Sequence, residues 1–190
     1  MNRLLLSLLL LLPLAMAGRF GEVRFDEVKV TLRPVGDGPK EGIASGVIDA
    51  PPERVFRALM DLDHWDEFMP FVEESDAKPQ PDGSILSFQR LGLPPLIGER
   101  HLRIRVTGQA GRKVEWSYVP GSGNVKSQRG SWTLEAAPGG KTRATLRLHT
   151  DPGGSAPDWA MDRATGKSLV WIFDGLRQQV RRSRYEVVGL

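Results

Sequence analysis

The feature that most constrains the fold is an amphipathic stretch near the C-terminal end of the chain, in residues 151–185. It opens with the breakers Asp-Pro-Gly-Gly at 151–154. Its apolar residues then recur at gaps of three and four, which is the stripe of a long helix: Thr165, Leu169, Ile172, Phe173, Leu176 and Val180. Such a helix must bury its stripe. We expect it to lie across a sheet, because the chain upstream has the periodicity of strands.

Alternation of apolar and polar residues, typical of half-buried strands, occupies most of the chain before that helix. It runs through residues 23–33, 43–48, 84–91, 100–106, 114–118, 131–136 and 143–149, with turns rich in glycine and proline between several of them. Short helices are predicted over residues 51–60 and 61–68. We therefore predict an α+β fold in which a bent, seven-stranded antiparallel sheet grips the C-terminal helix and can leave an apolar cavity beneath it.

The first 17 residues have the pattern of a secretory signal peptide. Arg3 precedes an apolar run at 4–12, and Ala15 and Ala17 are the small residues before a cleavage site. The run is shorter than the roughly 20 residues of a membrane-spanning helix, although an uncleaved anchor is the alternative interpretation. Because the chain has no cysteine, a lipoprotein anchor and disulfides are excluded. We expect residues 18–190 to form a single domain in the periplasm or outside the cell.

Four short motifs resemble the START lipid-binding domains, which have the helix-grip fold. They are residues 47–56 (VIDAPPERVF), Asp61 with Trp65, residues 98–100 (GER), and residues 151–159 (DPGGSAPDW), which resemble the START entry to the C-terminal helix. The first motif is also found in polyketide-cyclase-like relatives of the same SRPBCC superfamily. The resemblance implies reversible binding of one hydrophobic molecule, commonly a sterol, phospholipid or sphingolipid, and its carriage between membranes.

The resemblance also implies a loop beside the C-terminal helix that opens for the ligand, here residues 91–98 or 124–129. Well-known START proteins are mostly intracellular, whereas this chain carries an export signal. The identity of the ligand therefore does not transfer with the resemblance.

Side chains at inward positions of the predicted strands and helices make up the expected cavity wall. This wall is predicted to contain Phe68, Phe71, Leu86, Phe88, Arg90, Arg100, Leu102, Ile104, Trp116, Tyr118, Trp132, Leu146, Leu148, Trp159, Leu169, Ile172, Phe173 and Leu176. Arg90 and Arg100 are included because each shares strand parity with large apolar residues. A charge in a dry cavity needs a partner, such as Glu99 or Asp82. START cavities often hold one such ion pair; the alternative places both arginines at strand ends in solvent.

Two features suggest contact with a membrane. Arginines concentrate at the end of the C-terminal helix, which is either a solvated helix end or a docking surface for anionic lipids. The apolar run at 91–98 either walls the cavity or forms a surface patch. The predicted membrane-contact residues are Leu93, Leu96, Ile97, Arg177, Arg181 and Arg184. We expect a monomer that binds a hydrophobic small molecule or lipid and touches membranes transiently, with no nucleic-acid partner.

No sequence motif points to catalysis, a metal site or a cofactor. His64, His101 and His149 lack metal-ligand spacing, and no serine stands in Gly-x-Ser-x-Gly. We therefore expect a binding protein without catalytic residues, metal or cofactor. One alternative is an interaction module with a fully packed interior. Another is a polyketide cyclase, aromatase or hydrolase that draws acid–base groups from Arg90, Arg100, Tyr118 and Asp162.

Overall fold

A computed structural model describes residues 28–93, 95, 97–154 and 157–186. The strands in these residues are β1 (Lys29–Arg33), β2 (Glu41–Ile48), β3 (Val72–Pro79), β4 (Ile85–Leu91), β5 (Arg100–Gln109), β6 (Lys113–Tyr118), β7 (Ser127–Ala137) and β8 (Lys141–Asp151). The helices are α1 (Pro52–Met60) and α2 (Asp158–Gln179), with 3-10 helices at Leu62–Glu67 and Ser183–Tyr185. The expected signal peptide and the first part of the predicted first strand lie outside the described residues.

The strands form one antiparallel sheet in the order β1-β2-β8-β7-β6-β5-β4-β3. The helix-grip fold class is confirmed, but the sheet has eight strands and not the predicted seven. The additional strand is β3, whose sequence VEESDAKP is largely charged. Because β3 lies at an edge of the sheet and much of it is exposed, it lacks the apolar alternation by which half-buried strands are recognised.

The facing of β4 is opposite to the prediction. Gln89 of β4 is paired with Leu102 of β5, which is fully buried. Directly paired residues point to the same face of a sheet, so Gln89 faces inward. The prediction that Leu86, Phe88 and Arg90 face the cavity is therefore wrong, since they alternate with Gln89 and lie on the outer face. There an arginine of β5 lies over the Phe88 ring, 5.8 Å from its centroid.

The second half of α2 packs closely on the inner face of the sheet. Leu169, Phe173 and Leu176 of the predicted stripe are fully buried. Gly42 of β2 permits the approach, because a Cβ atom at that position would lie 2.5 Å from Leu169 Cδ1. The prediction of a long helix that buries one apolar stripe on the sheet is confirmed by this packing.

The indole of Trp65 joins the 3-10 helix Leu62–Glu67 to the core. Its Nε1 donates to the carbonyl oxygen of Leu59 at 3.0 Å. Its ring meets that of Trp116 in β6 edge-on, with centroids 5.5 Å apart. Across the described part of the chain, no helix is both long and apolar enough to cross a membrane.

Candidate ligand cavity

A cavity lies between the inner face of the sheet and α2, from the start of the helix as far as Ile172. It contains about 980 Å³ of empty space, including its opening to solvent, which is within the range of small-molecule sites. The helix lines it with Met161, Ala164, Thr165, Ser168 and Ile172. Their spacing of one, three and four residues places these side chains on one side of the helix.

Three neighbouring strands form the wall opposite the helix. Trp116 lines the cavity from β6, Gln128 from β7, and Leu146 and Leu148 from β8. Gln128 is paired with Thr150 of β8, which also lines the cavity. Because successive residues of a strand point to opposite faces, only alternate residues of each strand reach this wall.

Phe71 extends the apolar lining toward the protein surface. Its backbone has φ 68°, a conformation that is uncommon for any residue except glycine and that the surroundings must hold in place. Its ring lines the cavity and lies 6.2 Å from that of Trp171, which is 51% exposed. The loop after β4 adds Leu93 and Ile97 to the lining. The apolar wall is therefore continuous with an exposed aromatic side chain.

Polar atoms are few in the cavity, and none of its described lining residues is charged. Gln89 of β4 is 2% exposed, and its Nε2 has no hydrogen-bond partner in the protein. Gln128 Oε1 is also buried without a partner. The Ser168 hydroxyl, in contrast, donates to the carbonyl oxygen of Ala164 in its own helix at 2.7 Å. The cavity thus presents two unpaired amide atoms within a mostly apolar wall.

The predicted cavity residues divide between the wall and the core beside it. Those in the wall are Phe71, Trp116, Leu146, Leu148 and Ile172. Those in the packed core are Phe68, Leu102, Ile104, Trp132, Leu169, Phe173 and Leu176. In this core the rings of Trp132 and Phe173 are only 4.9 Å apart, so no space remains between sheet and helix. Contact of the wall residues with a ligand stays a prediction.

Two further predicted cavity residues point elsewhere. The hydroxyl of Tyr118 donates to the carbonyl oxygen of Gly123 at 3.3 Å, in the loop after β6. Trp159, on the first turn of α2, is 71% exposed. Neither residue is in the cavity wall, which corrects both assignments.

The two arginines also lie outside the cavity. Arg90, on the outer face of β4, forms ion pairs with three glutamates, at 3.1 Å for Glu74 and 3.4 Å for Glu99. Arg100 has inward parity but stands at the beginning of β5, where its Nε donates to the carbonyl oxygen of Pro152 at 2.8 Å. The prediction of a buried arginine in the wall is therefore wrong for both, because each finds its partners at the end of its strand.

Sequence reasoning missed Met69, Gln89, Leu91, Gln128, Thr150, Met161, Ala164 and Ser168 as lining residues. A signal was available for two of them. The helical stripe extended one turn back from Thr165 reaches Met161, and strand parity with Trp132 turns Gln128 inward. The polar side chains of the two glutamines hid them, because periodicity assigns inward positions to apolar residues.

The loop after β4 has the position that the membrane-contact prediction gave it, in part. Leu93 and Ile97 are half-buried and line the cavity, whereas Leu96 lies outside the described residues. The assignment of Arg177 to an exposed face of α2 is wrong. Its side chain is 12% exposed, and its Nε donates to the carbonyl oxygen of Val47 at 3.1 Å.

The other two arginines follow the helix and are not part of it, since α2 ends at Gln179. Arg181 is exposed. Arg184 forms an ion pair of 2.5 Å with Glu67. Partial burial acts to raise the pKa of Glu67, but the hydrogen bond from Gln179 and the nearby arginine charges lower it. Arg184 is therefore engaged within the protein, and contact of these arginines with a membrane stays a prediction.

Asp162, a candidate acid–base group, is occupied by an ion pair of 2.6 Å with Lys40. The hydrogen bond from Lys40 lowers the pKa of this carboxyl against the effect of its partial burial. Asp162 faces away from the cavity wall. Within the described ranges, no group of three or more His, Asp or Glu side chains is arranged to hold a metal ion.

Residues 44–182 match the family described as polyketide cyclase / dehydrase and lipid transport. The chain belongs to this family. The resemblance to START-like proteins, drawn from the sequence motifs, is thereby confirmed at the level of the superfamily. A comparison with the curated proteins finds no match.

Several solved structures have a similar fold. The STAR-related lipid transfer protein from Xanthomonas axonopodis has a TM-score of 0.71 at 23% identity, covering 82% of this chain and 94% of that chain. Human STARD10 has a TM-score of 0.68 at 12% identity, with 83% and 74% covered. The Zhui aromatase/cyclase from Streptomyces sp. R1128 has a TM-score of 0.62 at 15% identity, with 83% and 100% covered. At these identities the likeness shows the fold alone.

Proposed function

We propose that this family member binds a lipid or sterol-like hydrophobic ligand in the cavity beneath α2 and carries it between membranes. The observation that carries the proposal is the cavity of about 980 Å³, whose described lining is uncharged and mostly apolar. Burial of apolar surface contributes about 25 cal/mol per Å² and needs no directed contact, so a wall of this kind favours extended hydrophobic molecules.

The cyclase or hydrolase alternative shares the fold but needs an acid–base group beside its substrate. Among the described lining residues there is no Asp, Glu, His, Lys, Arg or Tyr. The candidates Arg90 and Asp162 are engaged in ion pairs away from the wall. These observations favour a carrier, and conversion of a bound ligand would be the mark of an enzyme.

The proposed carrier acts in the periplasm or outside the cell, on the basis of the signal-peptide pattern in residues 1–17. It touches the donor and acceptor membranes through Trp159, Trp171 and the loop after β4. Both tryptophans are exposed, and tryptophan favours the boundary between lipid and water. Phe71 connects Trp171 to the cavity lining, so a ligand could pass between membrane and cavity along a continuous apolar surface.

Native mass spectrometry with lipid extraction tests ligand binding. We expect one lipid per chain in the purified protein, and its loss in Ala164→Trp, which fills the cavity from α2. The matched control is Arg163→Trp, on the exposed side of the same helix. A protein that purifies empty and takes up no added lipid would instead be the packed interaction module. A ligand that changes mass during incubation would indicate an enzyme.

A further inference from the structure

The two unpaired amide atoms in the cavity restrict the chemistry of a ligand. Gln89 is 2% exposed and paired on neither side of its side-chain Nε2, and it faces the cavity from β4. A buried amide without a hydrogen bond is costly, commonly by about 1–3 kcal/mol. Apolar side chains such as Leu91 occupy equivalent inward positions on the same strand. The glutamine therefore has no packing role that leucine could not perform.

Gln128 supplies the opposite hydrogen-bonding character. Its Oε1 is a buried acceptor without a partner, whereas Gln89 Nε2 is a buried donor. The two residues lie on β7 and β4, with β5 and β6 between them, so they mark two places along the sheet wall. A hydroxyl group can serve either residue, because it both donates and accepts. A carbonyl oxygen can serve Gln89 only.

A charged group has no counterpart in this cavity. No described lining residue carries a charge, and Arg90 and Arg100 are held outside the wall. An ion in such surroundings loses its hydration without gaining a partner, which is prohibitive. A neutral polar group loses far less, and Gln89 and Gln128 replace its hydrogen bonds to water.

We propose that the ligand is a neutral lipid whose hydroxyl or carbonyl group is hydrogen-bonded by Gln89 and Gln128 inside the cavity. This assignment rests on the proposed binding function and narrows its ligand class. Lipids that would have to bring a carboxylate or phosphate beside these amides are excluded. A long-chain alcohol or a sterol-like alcohol has the required chemistry.

Displacement of the neutral dye Nile red from the full chain tests the assignment, with dodecan-1-ol, dodecane and dodecanoate at pH 8 as ligands of equal chain length. We expect dodecanol to bind at least about tenfold more tightly than dodecanoate, the factor that corresponds to one missing neutral hydrogen bond or more. Equal or tighter binding of dodecanoate would overturn the assignment while leaving ligand binding intact. Failure of Nile red and all three ligands to bind would instead refute the proposed function.

A Gln89→Leu variant isolates the contribution of the amide. We expect the ratio of the dissociation constants for dodecane and dodecanol to fall about tenfold in this variant, because only the alcohol loses a hydrogen bond. Gln109→Leu, at the exposed end of β5, should leave the ratio unchanged. An unchanged ratio in Gln89→Leu would mean that water alone satisfies the amide, and would overturn the assignment. If Gln89→Leu does not fold, the comparison of dodecanol with dodecanoate on the parent chain still decides.

Discussion

Gly175 of α2 lies directly against the backbone carbonyl oxygen of Phe68, the residue that follows the 3-10 helix Leu62–Glu67. A Cβ atom at position 175 would approach that oxygen more closely than side chains do in folded proteins. The obstacle is backbone, which cannot rotate aside as the end of a side chain can. We expect Gly175→Ala to lower the free energy of unfolding by about 1–3 kcal/mol, measured by urea denaturation.

Gly166 provides the matched control for this prediction on the same helix. A Cβ atom there would meet nothing within 4 Å. Alanine should then stabilise the helix by about 0.5–1 kcal/mol relative to glycine, because it restricts the unfolded chain and favours helix. A Gly175→Ala variant as stable as Gly166→Ala would show that α2 does not need this close approach.

Tyr185 fixes the segment after α2 to the short helices. Its hydroxyl donates to Asp61 Oδ2 at 2.8 Å and accepts from Gln179 Nε2 at 3.0 Å. Burial, reinforced by the bond to Asp61, raises the pKa of Tyr185 to about 12. The folded state thus holds this proton more tightly than the unfolded state, so the contribution is present below pH 10 and is lost as the pH rises from about 10 to about 12.

We expect Tyr185→Phe to lower the free energy of unfolding at pH 7 by about 0.5–1.5 kcal/mol, the usual net contribution of a hydrogen bond. Its stability should also change less than that of the parent between pH 10 and 12, which urea titrations at alkaline pH would measure. Tyr118→Phe is the control, because its hydroxyl makes only a 3.3 Å bond and its side chain is half-buried. A larger loss in Tyr118→Phe would contradict the assignment.

The sequence predicts the central strands correctly because their two faces differ in polarity. In β5, Leu102 and Ile104 alternate with charged residues, and the structure buries both of them. In β4, each face carries two large apolar residues, Ile85 and Leu91 on one and Leu86 and Phe88 on the other. Alternation therefore cannot determine which face of β4 is buried. The pairing with β5 decides it, and that pairing is not readable from β4 itself.

The cavity is less predictable than the fold for a similar reason. Periodicity shows that Trp116 and Trp132 both point inward, but only Trp116 lines the cavity. Whether an inward side chain meets empty space or another side chain depends on the distance between α2 and the sheet along the helix. That distance is set by contacts far apart in sequence, such as Gly42 with Leu169.

His149 makes stability depend on pH in the neutral range. The residue is 6% exposed on the face opposite the cavity, with Ser127 Oγ 3.3 Å from its Nε2 and no partner at Nδ1. Burial, and then the charge of Arg129, lowers its pKa, although the charges of Asp151 and Glu41 act in the other direction. The unfolded state binds the proton more readily, so stability is lost as the pH falls below the unfolded value of about 6.5.

We expect the free energy of unfolding to decrease between pH 7.5 and pH 5.5 in the parent chain, and to decrease less in His149→Gln. Urea titrations at the two pH values measure the difference. His101→Gln is the control, because His101 is exposed on the same face of the sheet. If His149→Gln keeps the full pH dependence, the loss must come from other groups.

The proposed membrane contact can be separated from ligand binding at Trp159. The side chain is 71% exposed and does not line the cavity, so its removal should leave the cavity intact. Exposed tryptophan transfers favourably to the lipid–water boundary, and we expect Trp159→Ala to reduce cosedimentation with vesicles severalfold while native mass spectrometry shows unchanged ligand occupancy. Phe88→Ala removes an aromatic ring from the outer face of β4 and should not alter cosedimentation. Equal vesicle binding by Trp159→Ala and the parent would place the membrane contact elsewhere, and loss of ligand from Trp159→Ala would show that this tryptophan supports the cavity instead.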